Sequence, residues 1–221
     1  MPSRRSRRPK GQGGLLRADL LASAERILAA EGDGKRLSIR AVASGAGVTP
    51  PSVYRHFNDK AELLRAVVQA RFEAFDAFLD AATSDTAPPC EQLRRRCHAY
   101  LEFARSQPAS YRLLFSATEL GPEALGTEGV DWHPGAPSFF RLVDSVGRCL
   151  TSRRPHDAAN AMFVAMLVWT QLHGIADLQL SKPELPWPAA TELIDHALVG
   201  LDLLDRPTPA KAPVRRRKSD R

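Results

Sequence analysis

Cysteine is scarce here: 221 residues carry three. An odd count with no Cys-x-x-Cys spacing argues against a disulfide framework and against a thiolate zinc site. Cys90 and Cys97 would stand roughly 10 Å apart along a regular helix, beyond disulfide reach. The expectation is buried or half-buried thiols in a reducing compartment. Long apolar runs are missing too. The longest, Ala161 to Trp169, is too short to cross a bilayer, and no membrane partner is expected. The N-terminus is basic but no apolar segment follows it, which excludes a secretory signal and points to the cytoplasm.

Catalytic signatures are absent as well. There is no Gly-x-Ser-x-Gly, P-loop, His-Glu-x-x-His or Gly-x-Gly-x-x-Gly. The six histidines are scattered, and none pairs with a cysteine or carboxylate at metal-ligand spacing. The chain is therefore expected to be no enzyme, with neither cofactor nor metal. No period-2 run of β-branched residues occurs either, so the expected fold is all-α.

What is present is an ordinary globular composition, 43% hydrophobic and 25% charged, with an uneven charge distribution. Residues 1–14 and 206–221 together carry +11, residues 15–65 carry +2, and residues 66–205 carry −7. A polyanion would be met from one end only. The two basic tails read as disordered. Between them, 15–65 reads as a small helical unit and 66–205 as a larger helical domain.

Helical periodicity begins near Leu15, with Leu20, Ala24, Ile27 and Leu28 on one face, and stops at Glu31 to Gly34. A second helix starts at an N-cap Ser38 and carries Ile39, Val42, Ala43 and Ala46 inward. A third helix, about seven residues long, opens on Pro50-Pro51. Asn58 or Asp59 caps a fourth, with Asp59-x-x-Glu62 at capping-box spacing, and it runs to about Ala82. Further helical patterns fall at about 88–106, 108–117, 137–152, 156–181 and 188–205. The long irregular segment 119–137, with Trp132 and His133, reads as a lid or a plain loop.

The two prolines explain the third helix. A helix's first N–H groups have no intrahelical acceptor, so proline at the first turn loses no bond. Because a residue before proline avoids the α region, two registers stay open, with Pro50 or Pro51 as the first helical residue. Val48, Val53 and Phe57 are spaced to pack inward, leaving Pro51, Ser52, Arg55 and His56 outward with Tyr54 at the edge. A short helix with a polar outer face, crossed by a supporting helix, is helix-turn-helix geometry, whose second helix enters the DNA major groove.

The stretch "LSIRAVASGAGVTPPSVYRHFNDKAELLRAVV" resembles the DNA-binding region of the TetR family of bacterial transcription regulators. The match lies in Ala46-Gly47-Val48, Val53-Tyr54, His56-Phe57, Asp59-Lys60 and Leu63-Leu64. "VWTQLHG", Val168 to Gly174, is similar to a Trp-x-x-x-His-Gly signature in the regulatory domain of one branch. The resemblance implies an N-terminal three-helix DNA-binding domain and a larger C-terminal domain for ligand binding and dimerisation. It further implies phosphate contacts from Tyr54, His56 and Lys60, with Ser38 anchoring a phosphate by its hydroxyl or its backbone amide. Thr49, Pro50, Pro51 and Ser52 would approach base edges, with Ser52 and Arg55 the candidates for hydrogen-bonded readout.

In the larger domain, 156–181 is apolar on all sides and therefore expected to be buried on all sides. In 188–205, Ile194, Ala197, Leu201 and Leu204 make a heptad-like seam, and the two helices together are expected to supply both a monomer core and a self-association face, with these four on the dimer interface. The resemblance implies a homodimer on a palindromic operator, and a pocket for an unknown small hydrophobic effector. Candidate liners are Tyr100, Phe103, Phe115, Phe139, Phe140, Trp169 and His173, each of which core packing would also explain. The expected function is a ligand-responsive regulator, read as a repressor released by its effector. The alternatives are an activator of the same fold and an architectural protein that binds DNA through its tails without sequence preference.

Overall fold

The computed structural model describes residues 13–31, 37–83, 86–115 and 134–206. Nearly all of both basic tails, the Asp33-Gly34 stop signal and most of 119–137, including Trp132 and His133, lie outside the described residues. Among those described, the secondary structure is helical throughout: α1 (Gly13–Glu31), α2 (Ile39–Gly45), α3 (Pro50–Val53), α4 (Lys60–Ala81), α5 (Pro89–Ser106), α6 (Pro108–Phe115), α7 (Ala136–Arg153), α8 (Ala161–Ser181) and α9 (Ala190–Gly200). A 3-10 turn, Pro155–Asn160, leads into α8.

The small unit is built by α1 lying across α2. Leu20, Ala24 and Leu28 of α1 are buried with Val42 and Ala43 of α2, the faces that the spacing implied. Close approach depends on Gly45, since a Cβ there would sit 2.3 Å from Ser23 Oγ. Ser23 Oγ donates to the Val42 carbonyl at 3.1 Å, and Arg26 donates to that of Gly45 at 3.1 Å. The Val42 carbonyl also accepts from the Ala46 N–H at 3.0 Å, so the Arg26 bond is the one that caps a carbonyl at the end of α2. Gly47, at φ +68°, takes the left-handed turn into α3, which glycine adopts at no steric cost.

α4 begins in this unit and ends in the larger one. Asp59 Oδ1 accepts from the Glu62 N–H at 2.7 Å, the forward bond of the expected box, while the Glu62 carboxylate accepts at 2.7 Å from the N–H one residue earlier, that of Asn58. Twenty-two residues make α4 about 33 Å long. In the larger domain α5 is the central strut, touching α4, α6, α7, α8 and α9.

Three expectations fail here. First, Cys90 near the start of α5 is disulfide-bonded to Cys149 near the end of α7. Weighing only Cys90 against Cys97 missed a partner 59 residues away, which antiparallel packing of α5 on α7 brings alongside. Cys97 alone stays a free thiol. It is buried, and burial pushes it up to about 12.

Second, α8 is not buried on all sides. Ala165, Val168, Leu172 and Ala176 face the core, while Phe163 is 66% exposed and Met166 and Leu178 are each 48% exposed. With the 3-10 turn, the stretch Pro155–Ser181 is long and apolar enough to cross a bilayer by length and composition, which the nine-residue run understated. Within the chain it packs against α5, α7 and α9.

Third, Ile194 does not belong to an outward seam. It is fully buried beside Leu198 in the core, so it cannot meet a second copy without unpacking. Ala197, Leu201 and Leu204 are half-buried against that core, and α9 stops at Gly200, leaving Leu201 and Leu204 in the turn beyond it.

Candidate nucleic-acid interface and internal cavity

Thr49 takes an extended backbone, φ −91° and ψ 151°, and is the N-cap of α3; Pro50 is the first helical residue. That resolves the register by the rule that disfavours helical geometry before proline. The α-helical hydrogen-bonding runs only to Val53. The chain closes by a tight turn in which the His56 and Phe57 N–H groups donate to the Val53 carbonyl at 2.8 and 3.0 Å. The third helix is therefore shorter than its seven expected residues. Val53 and Phe57 are buried and Val48 half-buried, while Thr49, Pro51, Tyr54, Arg55 and Lys60 are exposed. Pro50, Ser52 and His56 are half-buried.

The outward side chains are pre-ordered among themselves. Ser52 Oγ lies 3.2 Å from Thr49 Oγ1 and accepts from Arg55 Nη2 at 3.2 Å. One hydroxyl thereby holds the guanidinium in place. Tyr54 is 56% exposed, an aromatic displayed rather than packed. Lys60 is the first residue of α4, where the helix dipole favours an anion. Ser38 caps α2, its hydroxyl oxygen accepting from the Ala41 N–H at 3.2 Å, and a hydroxyl that accepts keeps its own proton to donate.

The larger domain encloses a cavity of about 370 Å³ between α4, α5, α7 and α8, a volume in the range of small-molecule sites. Of the expected liners, Tyr100, Phe115, Phe139, Phe140 and Trp169 do line it. Phe103 does not; it packs against Phe75 and Phe78, with ring centroids at 5.0 and 5.5 Å. His173 does not line it either. Its Nδ1 lies 2.9 Å from the Tyr111 hydroxyl and 3.2 Å from that of Tyr100, behind the wall.

Burial lowers the His173 pKa, which leaves a neutral imidazole at neutral pH. Burial also pushes the Tyr111 phenol up to about 12 and that of Tyr100 well above its ordinary value. The cluster is uncharged.

Phe72, Phe75, Met162, Met166 and Arg96 are also in the wall and were not foreseen as liners. The four-and-three alternation of Met162, Met166, Trp169 and His173 was a usable signal, because it is one face of a helix. Arg96 is buried and doubly paired, donating to Asp80 Oδ1 at 2.6 Å and Asp76 Oδ1 at 3.3 Å. Ser138 Oγ donates to Asp76 Oδ2 at 2.9 Å, and Arg141 donates to Asp80 Oδ2 at 2.7 Å. Burial raises the Asp76 pKa, outweighing the Ser138 bond and both arginines.

α6 touches both halves of the molecule. Its Tyr111 and Phe115 belong to the aromatic wall and the cluster behind it. Its Ser110 accepts from Arg71 of α4 at 3.5 Å, and the same Arg71 is ion-paired to Glu25 of α1.

A short helix with an ordered polar display, carried by a long helix into a domain with an effector-sized cavity, defines a helix-turn-helix transcription regulator. A family model described as "Bacterial regulatory proteins, tetR family" matches residues 20–67, and one described as "Tetracyclin repressor-like, C-terminal domain" matches 93–201. The chain belongs to the TetR family, whose members are DNA-binding transcription regulators and not enzymes.

Among curated proteins it is similar to the HTH-type transcriptional regulator EthR of Mycolicibacterium smegmatis, 31% identical over 121 residues, or 54% of each chain. It is also similar to the HTH-type transcriptional activator FasR of the same organism, 32% identical over 74 residues, or 34% of each chain. The matches thus span about half and about a third of those relatives' lengths. Among solved structures, a TetR-like transcriptional regulator from Rhodococcus sp. RHA1 superposes with a TM-score of 0.63 at 24% identity. That superposition covers 89% of this chain and 99% of that one, and it establishes the shared fold.

Proposed function

We propose that the protein is a ligand-responsive repressor that binds a palindromic operator as a homodimer and is released by a small hydrophobic effector. The observation that carries this reading is α6, which joins the cavity wall to the ion pair holding α1 on α4. A ligand that displaces Phe115 and Tyr111 shifts α6, and with it the bearing of the DNA-binding unit on α4. Such a shift needs a ligand with different affinities for the two arrangements.

In this reading Tyr54, His56, Lys60 and Ser38 hold phosphates, while Thr49, Pro50, Pro51, Ser52 and Arg55 face base edges. The homodimer forms through the outer face of α8, where Phe163, Leu167 and Leu178 lie along one side of the helix, together with the half-buried side of α9. Two recognition units one turn of DNA apart then match a two-fold site. Tyr100, Phe115, Phe139 and Trp169 contact the effector, and the protein acts in the cytoplasm. Trp169, His173 and Gly174 support assignment to the branch with the Trp-x-x-x-His-Gly signature.

The test is a salt titration of binding to two labelled duplexes, DNA flanking the protein's own gene and a scrambled control. It is run with the full chain and with a form lacking residues 1–14 and 207–221. Retained preference in the shortened form at moderate salt supports groove readout. Loss of all binding with the tails would favour the architectural alternative. A second reading, activation, is favoured by one observation, that FasR is named an activator. A reporter placed behind the bound site decides the sign.

A further inference from the structure

The cavity wall carries one charged side chain among the described residues, Arg96, and its charge is already spent. It faces Asp76 and Asp80, Arg141 closes on the same two carboxylates, and Ser138 fills the remaining Asp76 oxygen. Two positive and two negative groups thus cancel in a closed network. An anionic ligand would have to pull Arg96 off Asp76, leaving a carboxylate that is only 7% exposed without its nearest cation. A cationic ligand finds aromatic faces but no unpaired carboxylate. Attraction to such faces is weaker than the cost of desolvating an ion.

The other polar groups on the wall are paired as well. The Tyr100 hydroxyl lies 3.2 Å from His173 Nδ1 and is hydrogen-bonded to Tyr111 and Trp169. Phe75 and Phe115 pack against the Tyr100 ring, with centroids at 5.5 and 5.7 Å. A ligand there meets aromatic and aliphatic surface whose polar atoms are already satisfied.

We infer that this cavity selects an uncharged, largely hydrocarbon ligand. This rests on the reading of the cavity as the effector site. It adds to that reading a charge class.

The experiment uses the full-length protein and the neutral fluorophore N-phenyl-1-naphthylamine, displaced by decan-1-ol, decanoate and decyltrimethylammonium below their micellar concentrations. All three share one chain and differ in charge. Decanol is expected to displace the probe at a concentration about tenfold or more below either ion, the sense set by ion desolvation. Equal or better displacement by decanoate or decyltrimethylammonium overturns the inference. Met166→Trp, which adds bulk to the wall at a residue 48% exposed, should abolish the probe signal. A signal that survives Met166→Trp, or no signal with the unaltered protein, overturns the cavity reading itself and the inference with it.

Asp76→Asn sharpens the test, since it leaves Arg96 and Arg141 sharing one carboxylate. Decanoate should then gain on decanol by about tenfold, as expected when an arginine is left with too little countercharge. An unchanged ratio in a folded Asp76→Asn protein would remove the network as the reason for selectivity.

Discussion

From Ser38 to Glu62, apart from the two bonds that Ser23 and Arg26 send across from α1, the side-chain hydrogen bonds described join residues three or four apart: Ser38 with Ala41, Ser52 with Thr49 and Arg55, Asp59 with Glu62, Asn58 with Glu62. In the larger domain the bonds that hold the architecture reach much further. Asp195 is gripped by Arg94 from 101 residues away and by His98 from 97, Tyr100 meets His173 across 73, and Ser138 meets Asp76 across 62. One region turns its polar groups outward and orders them locally. The other turns them inward and closes them on one another. Surfaces of the first kind are free to engage a partner, while networks of the second kind specify a packing and lose most when one member goes.

The largest effect should come from the inward region. Ile194→Ala removes side-chain volume from a fully buried site and should cost about 2–5 kcal/mol in a urea melt. Phe163→Glu, at the most exposed large apolar side chain described on α8, should leave the chain folded and dissociate the proposed dimer, read by light scattering. Were Ile194→Ala to give a stable monomer, the assignment of α9 to the core would be reversed.

Asp195→Asn comes next. It breaks a carboxylate held by two hydrogen bonds from Arg94, at 2.9 and 2.7 Å, and one shared with His98 at 2.7 Å. About 1–3 kcal/mol should be lost at pH 7. Burial pushes the Asp195 pKa up, but the Arg94 and His98 bonds together outweigh it and hold the carboxylate below its ordinary range. A lowered folded pKa contributes stability above the unfolded value, and that contribution is lost as pH falls through the folded one. The gap between the two proteins should therefore close in acid, below about pH 4. A gap that widened in acid would contradict this linkage.

The same contrast sets how much was legible in the sequence. Helix positions, the Asp59 cap and the inward set Val48, Val53 and Phe57 follow from spacings of two to four residues, and periodicity carries such information directly. The Cys90–Cys149 bridge, the burial of Ile194 and the diversion of His173 to Tyr111 depend on which helices lie side by side. Spacing says nothing about that. The apolar circumference of α8 misled for a related reason. A single rule, apolar means buried, cannot separate a core face from a cavity face or from an outer face left open in one chain. Arg96 escaped notice as a liner because a charged side chain is an unexpected wall for an apolar cavity until its two aspartates are seen.

Smaller effects belong to the outward region. Lys60→Ala and Tyr54→Phe should each weaken binding to every duplex alike, by about three- to tenfold. Lys60→Ala should also lower the salt slope by about one. Fluorescence anisotropy against the flanking and scrambled duplexes at four salt concentrations measures both. A loss confined to the flanking duplex would make Lys60 a base reader and remove the phosphate assignment.

Ser52→Ala should have the smallest effect on affinity and the clearest effect on preference. Its hydroxyl reaches no buried group, so stability should change by less than about 0.5 kcal/mol. What it does is hold Arg55 by a 3.2 Å bond and meet Thr49 at 3.2 Å. Without it the guanidinium is released from one of its positions, and an arginine that reads a base edge does so through a fixed two-pronged geometry. The ratio of flanking to scrambled affinity should fall a few-fold while scrambled binding holds steady, with Arg55→Ala lowering the ratio further. If Ser52→Ala and Arg55→Ala instead weaken both duplexes equally, the bond between them positions a phosphate contact. Readout would then have to come from Thr49 and the two prolines.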